Sequence, residues 1–301
     1  MDILGIGMSM MDSIQLVEEF PAGTGVTEVS ESALMGGGPV PTALCSAARL
    51  GASAAIIDRV GDDWRGDLIR TDYHHFGVDT TYLELEEGET SSLGIVLVRM
   101  RDGERHIVFQ KGSFHELASD ELPVEALRSC RILHLNGRHW PACVEAARMA
   151  REAGGRVSFD GGAHRYDPKF EPLLEIVDIL IVARDFAVQL SGTEDHETQL
   201  RALAERNAEI VGITDGVRGS WFRTREGEEF HQAAFPMEEV VDTTGCGDVF
   251  HGAFLASVIG GKDWQCCARN ASAAAALNAM RLGGRGNLVT EAELQQFLAR
   301  N

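Results

Sequence analysis

A chain of 301 residues has the length for one large domain, or one and a half, and ample length to bury a core. It is 44% apolar and 24% charged, an ordinary globular balance. The formal net charge of −19 sets it against nucleic acid and anionic membrane surfaces, so any anionic substrate needs a local positive site.

Residues 2–7 form a short apolar run ending in glycine, which predicts a buried first strand. Gly36, Gly37 and Gly38 then open a helix. Pro39 and Pro41 suit its first turn, Leu44, Ala47, Ala48 and Leu50 keep helical spacing, and Gly51 closes it. Residues 54–58 read as a strand, and 64–76 as a helix ended by Gly77. The alternation resumes with strands at 132–135, 156–160, 178–182 and 209–213. Helices are expected at 141–153 and 200–206 between them, and at 248–259, 264–281 and 291–300 after them. Strand–helix alternation of this kind predicts an α/β fold: a mostly parallel sheet covered by helices on both faces.

Two segments break the pattern. Residues 13–34 hold short strand-like pieces, and runs at 92–100 and 104–111 flank Asp102-Gly103, a hairpin turn signal. Having no helices to cover them, they are expected to pair into a small separate sheet, either a lid or a dimer surface. The expected division is a core of residues 1–12, 37–90 and 113–301, with a β lid of residues 13–36 and 91–112.

Six cysteines (Cys45, Cys130, Cys143, Cys246, Cys266 and Cys267) include no Cys-x-x-Cys pair and no zinc spacing. They read as reduced, buried thiols. The N-terminus has no basic or apolar leader pattern, and no apolar run approaches the roughly 20 residues of a membrane span. The expectation is a cytoplasmic protein with no membrane and no nucleic-acid partner.

Residues 240–248, Val-Val-Asp-Thr-Thr-Gly-Cys-Gly-Asp, carry the most chemistry. Valines lead into a glycine-rich turn, and a helix begins near Gly247 with Phe250, Phe254 and Val258 on one face. Free N–H groups of Gly245, Cys246 and Gly247 at that helix start make an anion pocket. Asp248 sits in the first turn beside it. A carboxylate there can take a proton from a hydroxyl while the N–H groups hold a transferring phosphoryl group. A plain helix cap also places an Asp in a first turn, but a cap does not need so bare a backbone.

This stretch resembles the signature of the ribokinase-like (PfkB-type) sugar kinases, usually Asp-Thr-x-Gly-Ala-Gly-Asp. Gly36 to Gly38 through Ala43, then Ala47-Ala48-Arg49-Leu50-Gly51, resembles a second family signature. Val60-Gly61-Asp62-Asp63 with Gly66, and Gly216-x-x-Gly219 after a strand, fit as well. The likeness covers the whole chain in order. It implies a three-layer ribokinase-like fold with a β lid, and an enzyme that transfers the γ-phosphoryl group of magnesium-ATP to a sugar hydroxyl.

Position by position, the resemblance makes Asp248 the catalytic base and Gly245, Cys246 and Gly247 the anion hole. Cys246 replaces the usual alanine, which suggests sensitivity to oxidation. Asp242 and Thr244, with Gly283 and Gly286, match a loop that holds a monovalent cation, often potassium. Thr214, Gly216 and Gly219 match the loop that passes ATP, and Ala274 and Asn278 fall where the family lines the adenine pocket. Asp12 matches a sugar-binding aspartate, and Gly37 and Gly38 the backbone that packs on the sugar. Thr42 stands near the place of a family asparagine. The Asn-x-x-Glu motif that helps hold magnesium is absent; Asp185 is the nearest acidic candidate, and Arg165 is placed toward the phosphates.

Within the family the likeness is to ketose kinases such as ketohexokinase and sulfofructose kinase, through Met11-Asp12-Ser13, Leu16-Val17, Pro21 and Gly283-Gly284-Arg285. It sets Arg138 and the lid residue Gln110 toward the substrate, and an arginine fork suits a sulfonate, carboxylate or phosphate. Val26 stands where sulfofructose kinase is expected to carry lysine, against sulfofructose itself. The substrate implied is a ketose or an acidic sugar, and a homodimer through the lid strands is expected. A nucleoside kinase of the same fold and a non-catalytic sugar or nucleotide sensor are the alternatives. A dinucleotide fingerprint fails, because Gly5-x-Gly7 would need its third glycine at Met10. No P-loop run and no His-Glu-x-x-His cluster occurs.

Overall fold

The computed structural model describes residues 1–206 and 208–301. Thirteen strands appear in chain order: β1 Ile3–Ile6, β2 Met10–Val17, β3 Glu31–Gly37, β4 Ala54–Gly61, β5 Asp79–Glu86, β6 Ser92–Arg99, β7 Arg105–Gln110, β8 Ile132–Leu135, β9 Arg156–Gly161, β10 Ile179–Ala183, β11 Ile210–Thr214, β12 Ser220–Thr224 and β13 Glu229–Gln232. The helices are α1 Pro39–Arg49, α2 Trp64–Phe76, α3 Val124–Ser129, α4 Ala142–Glu152, α5 Glu171–Leu174, α6 Arg184–Ser191, α7 His196–Ala204, α8 Cys246–Ile259, α9 Trp264–Asn278 and α10 Glu291–Leu298.

Nine strands make one sheet in the order β13-β12-β11-β10-β9-β8-β1-β4-β5. From β11 to β5 every pairing is parallel; β12 and β13 extend it antiparallel. The central strands are buried on both faces, which is why they read as continuous apolar runs. Successive residues point to opposite faces. Ile3, Ile56 and Ile132 enter a core with α1, α2, α8, α9 and α10, whereas Leu4, Ile57 and Leu133 enter a second core with α3 to α7. These are the three layers expected of the ribokinase-like architecture.

The remaining four strands make a separate sheet in the order β3-β2-β6-β7. Its β6–β7 hairpin turns at Asp102-Gly103, as the dipeptide predicts. The first strand starts at Met10 and the second ends at Gly37, so Asp12 and Gly37 both belong to the small sheet. Ile14, Val96, Val98 and Leu282 form a small core beneath it.

Several boundaries differ from the sequence reading. α9 ends at Asn278, three residues before the expected end, because the chain turns there into the glycine loop 283–286. Strands β5, β12 and β13 and helix α6 were not anticipated. β5 and β13 are sheet edges with mixed exposure, so they lack the apolar run that reveals a central strand. α8 is buried on most sides, not on one stripe alone.

Phe254 of α8 is fully buried and stacks near Phe222, Phe250 and Trp264, at 5.8, 6.3 and 6.1 Å between ring centroids. Truncating it leaves a cavity that rigid neighbours cannot fill. Phe254→Ala is expected to lose about 3–5 kcal/mol of stability, read as a lower denaturant midpoint at unchanged slope.

Candidate active site

The site is built where α8 begins, and Asp242 holds that beginning in place. Asp242 is fully buried. Its Oδ1 accepts from the N–H and hydroxyl of Thr244 at 2.8 and 2.6 Å, and its Oδ2 from the N–H of Gly283 at 2.9 Å. One carboxylate thus joins the loop before α8 to the loop after α9. Asn278 repeats the join: its Nδ2 donates to the carbonyls of Thr244 and Gly284 at 3.4 and 3.3 Å, and its Oδ1 accepts from Asn287 at 3.1 Å. Between them Gly245 turns with φ +70°, and a Cβ there would lie 2.6 Å from Gly284 Cα. Only glycine fits both the backbone and the space. Asp242, Thr244, Gly283 and Gly286 therefore do converge, with Gly286 donating to the Gly283 carbonyl at 3.1 Å.

Of the three expected anion-hole donors, Cys246 N–H turns back toward the Thr243 carbonyl at 3.4 Å. Gly245 and Gly247 leave the helix start bare. Burial, then the charge of Asp242, pushes the Cys246 thiol up to about 12. That shift holds back the thiolate through which oxidation proceeds.

Asp248 follows in the first turn of α8. Burial and the neighbouring Asp160 carboxylate push it up to about 7, against the positive Arg165, the His251 ring and Arg105. Arg105 begins β7 of the small sheet, so a lid residue brings charge to the candidate base and to Cys246. Sequence reasoning missed it, since a charge beside a hairpin turn looks like solvated surface.

At the other side of the site, Asp12 on β2 lies against Gly37 of β3 and Gly94 of β6, where a Cβ would collide with its carboxylate. Burial raises it to about 6, opposed by Arg285. Among the described residues no donor bonds to it, so its oxygens are open to a ligand's hydroxyls. Gly38 caps α1 with φ +100°. Thr42 is buried, and its hydroxyl accepts from Arg285 Nε at 3.2 Å. Arg285 also donates to the Gly37 carbonyl at 3.3 Å and pairs with Asp72. Thr42 is thus a partner of Arg285 rather than an open pocket wall. Gln110 is exposed at the end of β7.

Arg138 and Arg165 sit after β8 and β9. Arg138 keeps solvent access, yet desolvation first and the charge of Arg165 second lower its basicity, with Glu116 opposing. Arg165 Nη1 is buried with no hydrogen-bond partner. Among the described residues neither makes an ion pair within 4 Å. Asn136, two residues before Arg138, is 4% exposed with both amide atoms unpartnered. It was not singled out from sequence, where one asparagine after a strand carries no signal.

The expected nucleotide residues divide. Thr214 ends β11, Gly216 opens a single helical turn through Arg218, and Gly219 follows with φ +91°. Asp215 anchors this loop against Arg218, Arg184 and His196. Asp185 starts α6 and accepts from His164 N–H, with His164 Nδ1 at 3.1 Å. Ala274 and Asn278 are corrections: Ala274 is packed in the core, and Asn278 is fully buried with its amide engaged by the two loops. Neither lines an open pocket. Among the described residues no cluster of three or more His, Cys, Asp or Glu side chains suits a metal ion, and no helix is long and apolar enough to cross a membrane.

Comparison with known proteins gives the family and the fold. A family model described as the pfkB family carbohydrate kinase matches residues 2–291. The ATP-dependent ribose-1-phosphate kinase of Halopiger xanaduensis is 28% identical over 284 residues, covering 94% of this chain and 93% of that protein. The aminoimidazole riboside kinase of Salmonella typhimurium is 32% identical over 267 residues, covering 83% and 82%. Among solved structures, adenosine kinase from Sinorhizobium meliloti superposes with a TM-score of 0.85 at 25% identity, covering 98% of each chain. Arabidopsis thaliana ribokinase complexed with ribose and ATP gives 0.82 at 25%, covering 99% and 98%.

Proposed function

The chain belongs to the pfkB family of carbohydrate kinases, a phosphotransferase acting on a sugar hydroxyl, and from that premise we propose that it uses magnesium-ATP to phosphorylate a small sugar bearing an anionic group, with Asp248 as the base. The observation that carries the reading is the place of Asp248, a half-buried carboxyl in the first turn of α8 beside a bare helix N-terminus, where desolvation and the Asp160 carboxylate raise it to about 7. A base matched to neutral pH takes the hydroxyl proton as that oxygen bonds to the γ-phosphorus and the bond from phosphorus to ADP breaks. The backbone N–H groups of Gly245 and Gly247 face the charge that develops. The open carboxylate of Asp12 takes sugar hydroxyls, with Gly37 and Gly38 beneath.

The anionic group is supported by Arg138 and Arg165, two neighbouring cations that form no ion pair within 4 Å in a chain of net charge −19. Like charges held together in that way are stabilised by an anion between or beside them. A relative named for ribose 1-phosphate, itself an anionic sugar, fits this class, and acidic ketose derivatives remain within it. The riboside kinase relative favours a nucleoside as the second reading. The orphaned Arg165 Nη1 and the loop of Thr214, Gly216 and Gly219 fit a bound nucleotide triphosphate. Magnesium bound with it would neutralise phosphate charge, and Asp185 would help hold it together with phosphates and water. The loops joined by Asp242 are the place for potassium.

Exposed Leu34, Ile95 and Val108 lie in register on one side of the small sheet and leave it an apolar face. A second copy covering that face gives a dimer through the lid. Sedimentation of wild type should then show a dimer, and Val108→Asp a monomer; a wild-type monomer at micromolar concentration removes this element.

ADP release against ribose 1-phosphate, ribose, fructose, acidic ketoses and nucleosides, with potassium or sodium, tests the whole reading. An anionic sugar should give the highest kcat/KM, and silence with every acceptor overturns the assignment. Asp248→Asn is expected to lower kcat at least ~10²-fold with acceptor binding kept, by turnover and calorimetry. Arg138→Ala should raise KM for the anionic acceptor by roughly 10-fold or more while a neutral analogue is unaffected.

A further inference from the structure

Arg285 is 5% exposed and takes no part in the reaction described above. It belongs to the glycine loop after α9, which Asp242 ties to the start of α8 through the N–H of Gly283. Its guanidinium reaches three other elements. Nη1 pairs with Asp72 of α2, Nε donates to the Thr42 hydroxyl of α1 at 3.2 Å, and Nη2 donates to the Gly37 carbonyl at the end of β3 at 3.3 Å. The same head lies 5.6 Å from the centre of the Tyr73 ring. The backbone N–H of Arg285 turns toward Met35 Sδ, also on β3, at 3.4 Å.

The strand end it holds is bare enough to receive it. Gly36 and Gly37 are both buried. A Cβ on Gly36 would collide with Arg285 Nη1 and Asp72 Oδ2, and one on Gly37 would collide with the Asp12 carboxylate. Neighbouring strand residues face opposite ways, so the two glycines lie between the guanidinium on one side and Asp12 on the other. The adjoining strand is fixed at the same level. Met10 of β2 pairs with Gly37, and Ser9 before it bonds to the Tyr73 hydroxyl at 2.7 Å and to Asp58 through its N–H. Both strands are thus anchored where the small sheet leaves the core. A buried ion pair adds little stability over apolar packing of the same volume. What a planar fork does supply is fixed geometry between the groups it bonds.

We propose that Arg285 is a positioning residue for the acceptor: by holding the Gly37 carbonyl it fixes the backbone ledge on which the Asp12 carboxylate rests. The inference deepens the proposed function and rests on its acceptor site of Asp12, Gly37 and Gly38. None of these contacts falls on the loop of Thr214, Gly216 and Gly219, so acceptor binding depends on Arg285 and ATP binding does not. Lysine at this position keeps a charge beside Asp72 but cannot bond Thr42 and Gly37 together. Alanine at Gly36 takes the space of the guanidinium, and the atoms in its way are the ends of two flexible side chains, so that variant displaces the fork without removing it.

The test measures kcat, KM for ATP, KM for the acceptor and thermal melts in wild type, Arg285→Lys, Gly36→Ala, their double variant and Asp12→Asn. The acceptor is whichever of ribose 1-phosphate, ribose, fructose, an acidic ketose or a nucleoside gives the highest kcat/KM. Arg285→Lys should raise the acceptor KM roughly 10-fold with the KM for ATP kept. Gly36→Ala should move the same constant in the same direction. The double variant should be no worse than the worse single one, because both act through one guanidinium. A merely structural role lowers kcat through loss of folded enzyme and leaves both KM values, and that result overturns the proposal. Equal rises in both KM values overturn it as well. So do effects that multiply in the double variant, which separate Arg285 from the strand it is said to hold. If Arg285→Lys does not fold, Gly36→Ala decides alone: a raised acceptor KM with the KM for ATP kept supports the proposal, and an unmoved one overturns it. An unmoved acceptor KM in Asp12→Asn, or silence with every acceptor, removes the acceptor site and this inference together. A raised one in Asp12→Asn with an unmoved one in Arg285→Lys removes only this inference.

Discussion

The buried carboxylate of Asp242 accepts three hydrogen bonds from two loops that are distant in sequence. Without those bonds the N–H of Gly283 and the start of α8 have no common anchor. A buried carboxylate is tolerable only when its oxygens are fully bonded, and that requirement makes the join a demanding one. Asn278 satisfies further backbone groups of the same loops. The position of α8, and so of Asp248, follows from this clamp together with the packing of Phe250 and Phe254.

A second constraint comes from the parallel sheet. Its central strands are covered on both faces, so alternate residues must serve different cores. On β8 and β9 the apolar residues Leu133, Leu135, Val157 and Phe159 serve one face. His134, Ser158 and Asp160 then fall on the other, under α8. The polar layer beneath the site is therefore a product of strand periodicity.

Charge distribution explains how so acidic a chain can accept anions. Most of its arginines pair with carboxylates, such as Arg59 with Glu84 and Glu121, and Arg206 with Glu171. Arg138 and Arg165 do not, and they lie after adjacent parallel strands where the sheet ends. Arg165, whose Nη1 is buried, acts on an anion more strongly than the net charge suggests.

Much of this was legible in residue order. Apolar runs located β1, β8, β9 and β10, because buried parallel strands must be apolar throughout. Glycine signals placed α1 and α2, since Gly38 and Gly77 act locally. Glycines around Cys246 marked a bare helix start next to a carboxylate. Other features depend on contacts between distant segments, and no local pattern encodes them. Asn278 and Ala274 lie in an alanine-rich helix that could face either a pocket or the core, and packing chose the core. Thr42 was expected to face a ligand, and Arg285 engaged its hydroxyl from 243 residues away. Arg105 reaches the site only once the lid is in place. The sequence by itself determined the layered α/β fold, the lid hairpin and the glycine-framed Asp248, because those follow from periodicity and backbone conformation. Only the tertiary structure decided which polar groups are left unpaired and which carboxyl holds the proton, because burial and electrostatic neighbours exist only after the chain has folded.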